Sequence, residues 1–212
     1  MSDHPSIFIS VDGIDGVGKS TQIATIRDSL EQKGCSIEQV RDPGSSAIGT
    51  RLRSLLLESE LQMHRRTEAM LFMASRCEMI ETTIRPALAE GRCVLSDRFL
   101  LSTVVYQSVG DASCSNEAVA PEMLWELGAL ANGGLRPDLT LLLDMPASRA
   151  MERIDRPADR MESRGVEYLE TVRRRFLDQL QYSSDRTAVI NADQPPEKVS
   201  ADIREVVSSV MS

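Results

Sequence analysis

The sequence predicts an α/β fold in which a five-stranded parallel sheet is flanked by helices. Two observations lead there. Short apolar runs rich in β-branched residues alternate with longer segments of helical periodicity, as parallel strands joined by helices require. Between the first such run and the first helical segment lies Gly13-Ile14-Asp15-Gly16-Val17-Gly18-Lys19-Ser20, the pattern G-x-x-x-x-G-K-S. Strand, glycine loop and helix form the context in which this pattern cradles phosphate. The sheet is therefore expected to be of the P-loop NTPase type.

The first strand is read over Ser6–Val11, and Thr21–Lys33 follows as a helix with Ile23, Ile26 and Leu30 on one face and Gly34 at its end. The remaining strands are placed at Ile37–Val40, Arg92–Ser96, Leu139–Leu143 and Ala188–Ile190. Helical patterns occupy Ile48–Leu57, Arg66–Glu90, Leu101–Val109, Ala120–Ala131, Ser148–Ile154, Val166–Tyr182 and Pro196–Val210. Pro86 is expected to kink the long third helix and Gly91 to end it. There is no repeat, linker or low-complexity stretch, and the irregular segments are short, so residues 1–212 read as one domain.

Composition narrows the function. A net charge of −8 argues against a nucleic-acid or membrane-surface partner, because no basic field attracts polyphosphate. Met1–Pro5 carries no charged stretch leading into an apolar run, and no segment approaches transmembrane length, so neither leader nor membrane span is expected. Cys35, Cys77, Cys93 and Cys114 are scattered without a C-x-x-C pair. They read as free thiols in a reducing compartment, the cytoplasm.

The glycine loop explains its own chemistry. Gly13, Gly16 and Gly18 let backbone N–H groups turn inward around an anion, with Asp15, Val17 and Thr21 in the same turn. The following helix N-terminus adds partial positive charge. Lys19 is placed to reach the β- and γ-phosphates of a nucleotide, and the Ser20 hydroxyl to ligate Mg²⁺.

In such a sheet, ligands gather at the carboxyl ends of the strands. Asp97-Arg98 stands directly after Val94-Leu95-Ser96, where a carboxylate commonly serves Mg²⁺ or its water shell. Arg41 and Arg53 follow the second strand, and spacing alone does not show whether they converge. After Leu143-Asp144 come Arg149, Arg153, Arg156, Arg160 and Arg164, with Pro157 and Asp159 interrupting helicity. This stretch, about residues 155–165, reads either as a short arginine-bearing lid that closes on a nucleotide or as a solvated helix face.

Taken together, these residues resemble the thymidylate kinase family, and more its bacterial branch. The resemblance rests on Val11 to Thr21, Arg41-Asp42-Pro43-Gly44, Leu52 to Leu57, Leu71-Phe72 with Arg76, Asp97-Arg98, Ser102-Thr103 with Tyr106-Gln107, and Arg136 to Asp144. These pieces run in the family's order from residue 7 to about 165. The P-loop is generic, whereas D-R-x-x-x-S-T-x-x-Y-Q is specific.

The resemblance implies transfer of the γ-phosphate of ATP to thymidine 5′-monophosphate (dTMP), with Mg²⁺, by a homodimer. It implies that Phe72 stacks on thymine, that Arg76 and Gln107 bond its polar edge, and that Thr103 lies nearby. Tyr106 would pack where a 2′-hydroxyl would sit. Arg53 and Arg98 would hold the acceptor phosphate, with Asp15 beside it and Asp97 near the metal. Gly16 in place of an arginine implies that catalytic cations come from the lid, with Arg153, Arg156 and Arg160 as candidates.

Three positions depart from the family pattern. Phe99 replaces Tyr or His, Asp42 replaces Glu, and Ser45 replaces the second Gly. A kinase for another pyrimidine monophosphate or for a deoxynucleoside is the nearest alternative. A GTP-dependent switch is disfavoured because the chain has no N-K-x-D. The helix Arg66–Glu90 carries Met70, Leu71, Met73, Ala74, Cys77, Met79 and Ile80, more apolar surface than one face needs. The excess covers the sheet or forms a helix–helix dimer contact, and periodicity does not choose between them.

Overall fold

A computed structural model describes residues 6–57, 63–109, 118–154 and 165–211. The strands are β1 (Phe8–Asp12), β2 (Ile37–Arg41), β3 (Cys93–Asp97), β4 (Leu139–Asp144) and β5 (Arg186–Asn191). They form one sheet in the order β2-β3-β1-β4-β5, with every pair parallel. β1 is buried along its whole length, as a central strand covered on both faces must be. The edge strands β2 and β5 are mostly exposed or half-buried, which is why their apolar runs are the shortest in the sequence.

The helices are α1 (Lys19–Gln32), α2 (Ala47–Leu57), α3 (Arg65–Met79), α4 (Arg85–Ala89), α5 (Leu100–Ser108), α6 (Pro121–Ala131), α7 (Ala147–Glu152), α8 (Val166–Gln179) and α9 (Pro196–Met211). Strand alternation divides the core in two. Ile9, Val11 and Leu95 point to a layer containing Ile23, Ile26, Phe176, Ile203 and Val207 of α1, α8 and α9. Phe8, Val40 and Val94 point to the opposite layer, with Met73 and Met79 of α3, Val104 of α5 and Leu124 of α6. Each fully buried side chain of this kind contributes about 1.5–3 kcal/mol.

The long third helix departs from expectation in an instructive way. Rather than kinking at Pro86, it widens into a π-helical turn over Ile80–Ile84 and resumes as α4 with Pro86 in its first turn. The Arg85 N–H donates to the Ile80 carbonyl, five residues back. Proline lacks an N–H and its ring crowds the preceding turn. Opening that turn by one residue relieves the clash without breaking the rod. The end of α8 tightens similarly into a 3₁₀ turn at Leu180–Tyr182.

Register fixes what stands at the top of the sheet. Arg41 of β2 and Val11 of β1 both pair with Asp97 of β3, so Arg41, Asp97 and Asp12 end their strands side by side. Among the described residues, no helix is long and apolar enough to cross a membrane. Cys35, Cys77 and Cys93 are free thiols. Cys114 lies outside the described residues.

Candidate active site

The loop after β1 folds tightly against its neighbours. A Cβ on Gly13 would lie 2.5 Å from the Leu143 carbonyl oxygen at the end of β4, and one on Gly16 (φ +85°) 2.1 Å from that of Ala150 in α7. Only glycine fits either position. Gly18 begins α1 with no side-chain cap, and the first turn contains no acid. The orphan N–H groups of that turn are thus left for an anion.

Lys19 is buried and folded back onto the loop. Its Nζ donates to the carbonyls of Gly13 (3.0 Å) and Ile14 (2.8 Å) and to Asp15 Oδ1 (3.2 Å). Burial and then the nearby Arg98 lower its pKa from 10.5 to about 8, against the pull of Asp15. Arg98 approaches from the other side. Its Nη2 donates to Asp15 Oδ1 at 2.8 Å, and its Nη1 to Gly13 O and to Ser102 Oγ. Burial alone would raise the Asp15 pKa, yet Arg98 and Lys19 outweigh it and hold this carboxyl well below its usual range.

Arg98 adopts φ +68°, uncommon for a residue with a long side chain. Three bonds hold that conformation or aim the guanidinium: Arg98 N to Val11 O (3.0 Å), Ser96 Oγ to Arg98 O (2.5 Å), and the Ser102 contact. Ser102 also donates to Asp12 Oδ1 at 2.6 Å, anchoring the start of α5 to the end of β1.

Two cavities meet at this ion cluster. The larger, about 750 Å³, is lined by the loop residues Asp15 to Thr21 together with Asp97, Arg98, Arg153 and the turn after β5 around Ala192–Pro196. The smaller, about 130 Å³, is lined by Asp15, Arg53, Phe72, Arg76, Arg98, Thr103, Tyr106 and Gln107, among others. Every residue assigned from sequence to an acceptor thus lies on one cavity. Asp15, Arg41 and Arg98 line both.

Within the smaller cavity, Arg76 is fully buried. Its Nε donates to Asp42 Oδ2 at 2.5 Å, Nη2 to Thr103 Oγ1 at 2.5 Å, and Nη1 to Met73 Sδ at 3.0 Å. The guanidinium also lies 5.4 Å from the Phe99 ring centroid. Tyr106 sits under Arg98 at 5.3 Å and meets Phe176 edge-on at 5.8 Å. Burial raises its pKa against the pull of the nearby Arg98, so the phenol stays protonated, and among the described residues its hydroxyl has no well-formed hydrogen bond. Gln107 donates to Glu68 Oε2 at 3.2 Å, while its own buried Oε1 has no partner among the described residues. Phe72 is half-buried rather than core. Arg53 donates to the Pro43 carbonyl at 2.9 Å.

Ser20 and Asp97 both stand on the lining of the larger cavity. Asp97 Oδ1 is buried with no hydrogen-bond partner among the described residues, and Oδ2 is 3.4 Å from Arg41 Nε. A hydroxyl and a carboxylate are the hard oxygen donors that suit Mg²⁺, which keeps most of its water and phosphate ligands. No group of three or more His, Cys, Asp or Glu able to hold a metal occurs among the described residues.

Arg153 caps α7 on the wall of the larger cavity, where Nη1 donates to Ala192 O at 3.2 Å. Arg149 instead pairs with Glu152 at 2.9 Å on an exposed helix face. Arg156, Arg160 and Arg164, and with them the segment read as a lid, lie outside the described residues.

Three further residues shape the site, none of them assigned a role from the sequence, which left Arg41 open. Asp42 locks Arg76, Arg41 stands on both cavities, and Asp12 is buried under Ser102. Arg41 and Asp42 carried one signal, their place just at the end of β2. Asp12 carried the same signal at the end of β1.

A family model described as thymidylate kinase matches residues 11–203. A thymidylate kinase of Rhodopirellula baltica is 55% identical over 203 residues, covering 96% of this chain and 80% of the relative. Those of Clavibacter michiganensis and Symbiobacterium thermophilum are 39% and 38% identical, covering 93% and 97% of this chain and 92% and 94% of the relatives.

Proposed function

The chain belongs to the thymidylate kinase family, and from that premise we propose that it transfers the γ-phosphate of ATP to dTMP, giving dTDP and ADP. The observation that carries the reading is the pair of cavities sharing one wall of Asp15, Arg41 and Arg98. A phosphoryl donor and an acceptor need such an arrangement for in-line transfer.

ATP occupies the larger cavity with its phosphates on the loop and the open N-terminus of α1. Lys19 leaves the loop carbonyls for the β- and γ-phosphates. Ser20 and Asp97 would hold Mg²⁺, which when bound would offset the charge on the phosphate oxygens. In the smaller cavity, thymine lies against Phe72, with Arg76, Thr103 and Gln107 at its polar edge. Its carbonyl–imide–carbonyl edge offers both a donor and acceptors to these groups. Tyr106 packs against the deoxyribose. Arg53 and Arg98 hold the acceptor phosphate, for which forked guanidinium partners suit a dianion.

An acceptor oxygen attacks the γ-phosphorus as the bond to the β-phosphate oxygen breaks. The attacking oxygen is already ionised, so no side chain need take a proton. Asp15 holds Lys19 and Arg98 in place until the phosphates replace it as their partner. Arg153 supplies positive charge from the α7 side. Arg156 carries the same role by proposal only, since it lies outside the described residues.

We also propose a homodimer in the reducing cytoplasm. Met70, Ala74 and Cys77 form an exposed stripe along α3 at helical spacing. Met123 and Leu130 of the adjacent α6 are exposed as well. The free thiols fit a reducing compartment.

Calorimetric titration tests the two-cavity reading. dTMP is expected to bind one site whether or not ADP·Mg²⁺ saturates the protein. Full competition between the two nucleotides would place them in one cavity and overturn it.

A further inference from the structure

Phe99 lines a second cavity as well as the acceptor cavity. This further space, about 450 Å³, lies between the start of α5, one flank of α6 and the 3₁₀ turn after α8. Its size falls within the range of small-molecule sites, about 300–1,000 Å³. Apart from Phe99, none of its lining residues takes part in the reaction proposed above.

The lining has a definite chemistry. Three aromatic side chains, Phe99, Trp125 and Tyr182, stand around it. Trp125 is fixed, because its Nε1 donates to Gln179 Oε1 at 2.8 Å, and its ring lies 6.3 Å from that of Tyr182. Arg136 also lies on the lining, as does the oppositely charged Glu122, whose side chain is exposed at the start of α6. Arg136 Nη2 donates to the Tyr182 carbonyl at 3.1 Å, and its ion pair with Asp185 is long, 3.8 Å, to a carboxylate that is 92% exposed. Such a pair neutralises the guanidinium only weakly. Flat aromatic walls beside a weakly neutralised cation suit a planar aromatic anion.

Phe99 gives the cavity a route to the reaction. The ring meets Phe8 edge-on at 5.0 Å and supports the Arg76 guanidinium at 5.4 Å. We propose that this cavity is a second ligand site, for a planar aromatic anion, and that its occupancy is coupled to dTMP through Phe99. The coupling, though not the site, rests on the acceptor reading of the smaller cavity. A ligand on the far side of Phe99 holds the ring against Arg76, and dTMP bound to Arg76 holds it from the near side. Each ligand then favours the other, by the same factor in both directions.

Trp125 is the only tryptophan in the chain, so its emission reports on this cavity directly. The test is a fluorescence titration with 8-anilinonaphthalene-1-sulfonate, an anion that carries a flat naphthalene ring. One saturable site is expected, retained when ADP·Mg²⁺ and dTMP fill the other cavities. dTMP should tighten it by about fivefold or more, the lower end of measured couplings. Ala129→Phe fills the cavity from the exposed side of α6 and should weaken the probe at least tenfold, with dTMP turnover retained. Arg136→Gln should weaken it several-fold. Absence of a saturable site, displacement by either nucleotide, or unchanged binding in Ala129→Phe would overturn the site. An affinity that dTMP leaves unchanged or lowers would overturn the coupling. Calorimetry of dTMP alone checks the acceptor reading separately.

Discussion

Asp42 and Arg76, 34 positions apart in sequence, form a buried ion pair in which Arg76 Nε donates to Asp42 Oδ2 at 2.5 Å and each side chain is 1% exposed. With Thr103 and Met73 taking the other nitrogens, the guanidinium is oriented before any ligand arrives. Asp42 and Phe99, which the resemblance reads as departures from the family pattern, both touch the same arginine. They therefore act on one side chain.

Replacing Asp42 should show this. Asp42→Ala leaves a buried charge without its partner and should cost about 3–5 kcal/mol of stability. Asp42→Asn retains an acceptor, so it should fold, yet hold Arg76 less firmly. Its KM for dTMP is expected to rise about tenfold, equivalent to about 1.4 kcal/mol, while that for ATP stays near its original value. Equal rises in both would deny Arg76 a place at the acceptor.

Lys19 gives a pH-dependent signature. Its pKa of about 8 in the ligand-free fold lies below the 10.5 of the free side chain. Between those values the unfolded chain holds a proton that the native protein has released. Stability therefore rises with pH across about 8 to 10.5, by about 3 kcal/mol from this group. Phosphates that replace the loop carbonyls should restore the proton. ATP binding at pH 8 is thus expected to take up about half a proton, read as a dependence of binding enthalpy on buffer ionisation heat. Lys19→Ala should abolish that uptake.

Gly16 is the point where α7 rests on the phosphate loop. Gly16→Ala adds a methyl where the Ala150 carbonyl already stands and demands φ +85° of a residue that resists it. The loop must shift, so the KM for ATP is expected to rise at least tenfold while dTMP binding measured by calorimetry changes little. An ATP KM near that of the parent protein would show that this contact does not shape the donor site.

Tyr106 separates shape from hydrogen bonding. Its hydroxyl has no well-formed hydrogen bond among the described residues, whereas its ring packs under Arg98 and against Phe176. Tyr106→Phe should keep the preference for deoxyribonucleotide over ribonucleotide acceptors. Tyr106→Ala should lose it and destabilise the fold by about 3 kcal/mol or more. The ratio of kcat/KM values for the two acceptors measures this. Unchanged discrimination in Tyr106→Ala would return the residue to a purely structural role.

What the sequence made legible follows from locality. The β1 strand, glycine loop and α1 helix lie within 25 consecutive residues, so their pattern is continuous and the phosphate site could be read directly. The central strands were legible because each run is largely apolar, whereas the edge strand β2 interrupts its run with Glu38 and Gln39. The π-helical turn was not legible, since Ile80–Ile84 has the same apolar spacing as an α-helix and only Pro86 hints at a disturbance. The Asp42–Arg76 pair depends on how the β2 loop meets α3, which no periodicity encodes. Convergence of Arg53 with Arg98 on one cavity likewise needed the packing of α2 against α3. Phe72 and Tyr106 taken alone read more readily as core, because an aromatic at helical spacing fits a core face, and only their offsets from Arg76 and Asp97 point to the site.

The central claim is that the smaller cavity takes dTMP and the larger takes ATP. Initial rates of ADP release with ATP·Mg²⁺ test it most directly, with each nucleoside monophosphate and thymidine offered in turn as acceptor. The account predicts a kcat/KM for dTMP at least tenfold above any other monophosphate and no measurable rate with thymidine, which gives Arg53 and Arg98 no phosphate to hold. Preference for a different monophosphate, or turnover of thymidine itself, would contradict it.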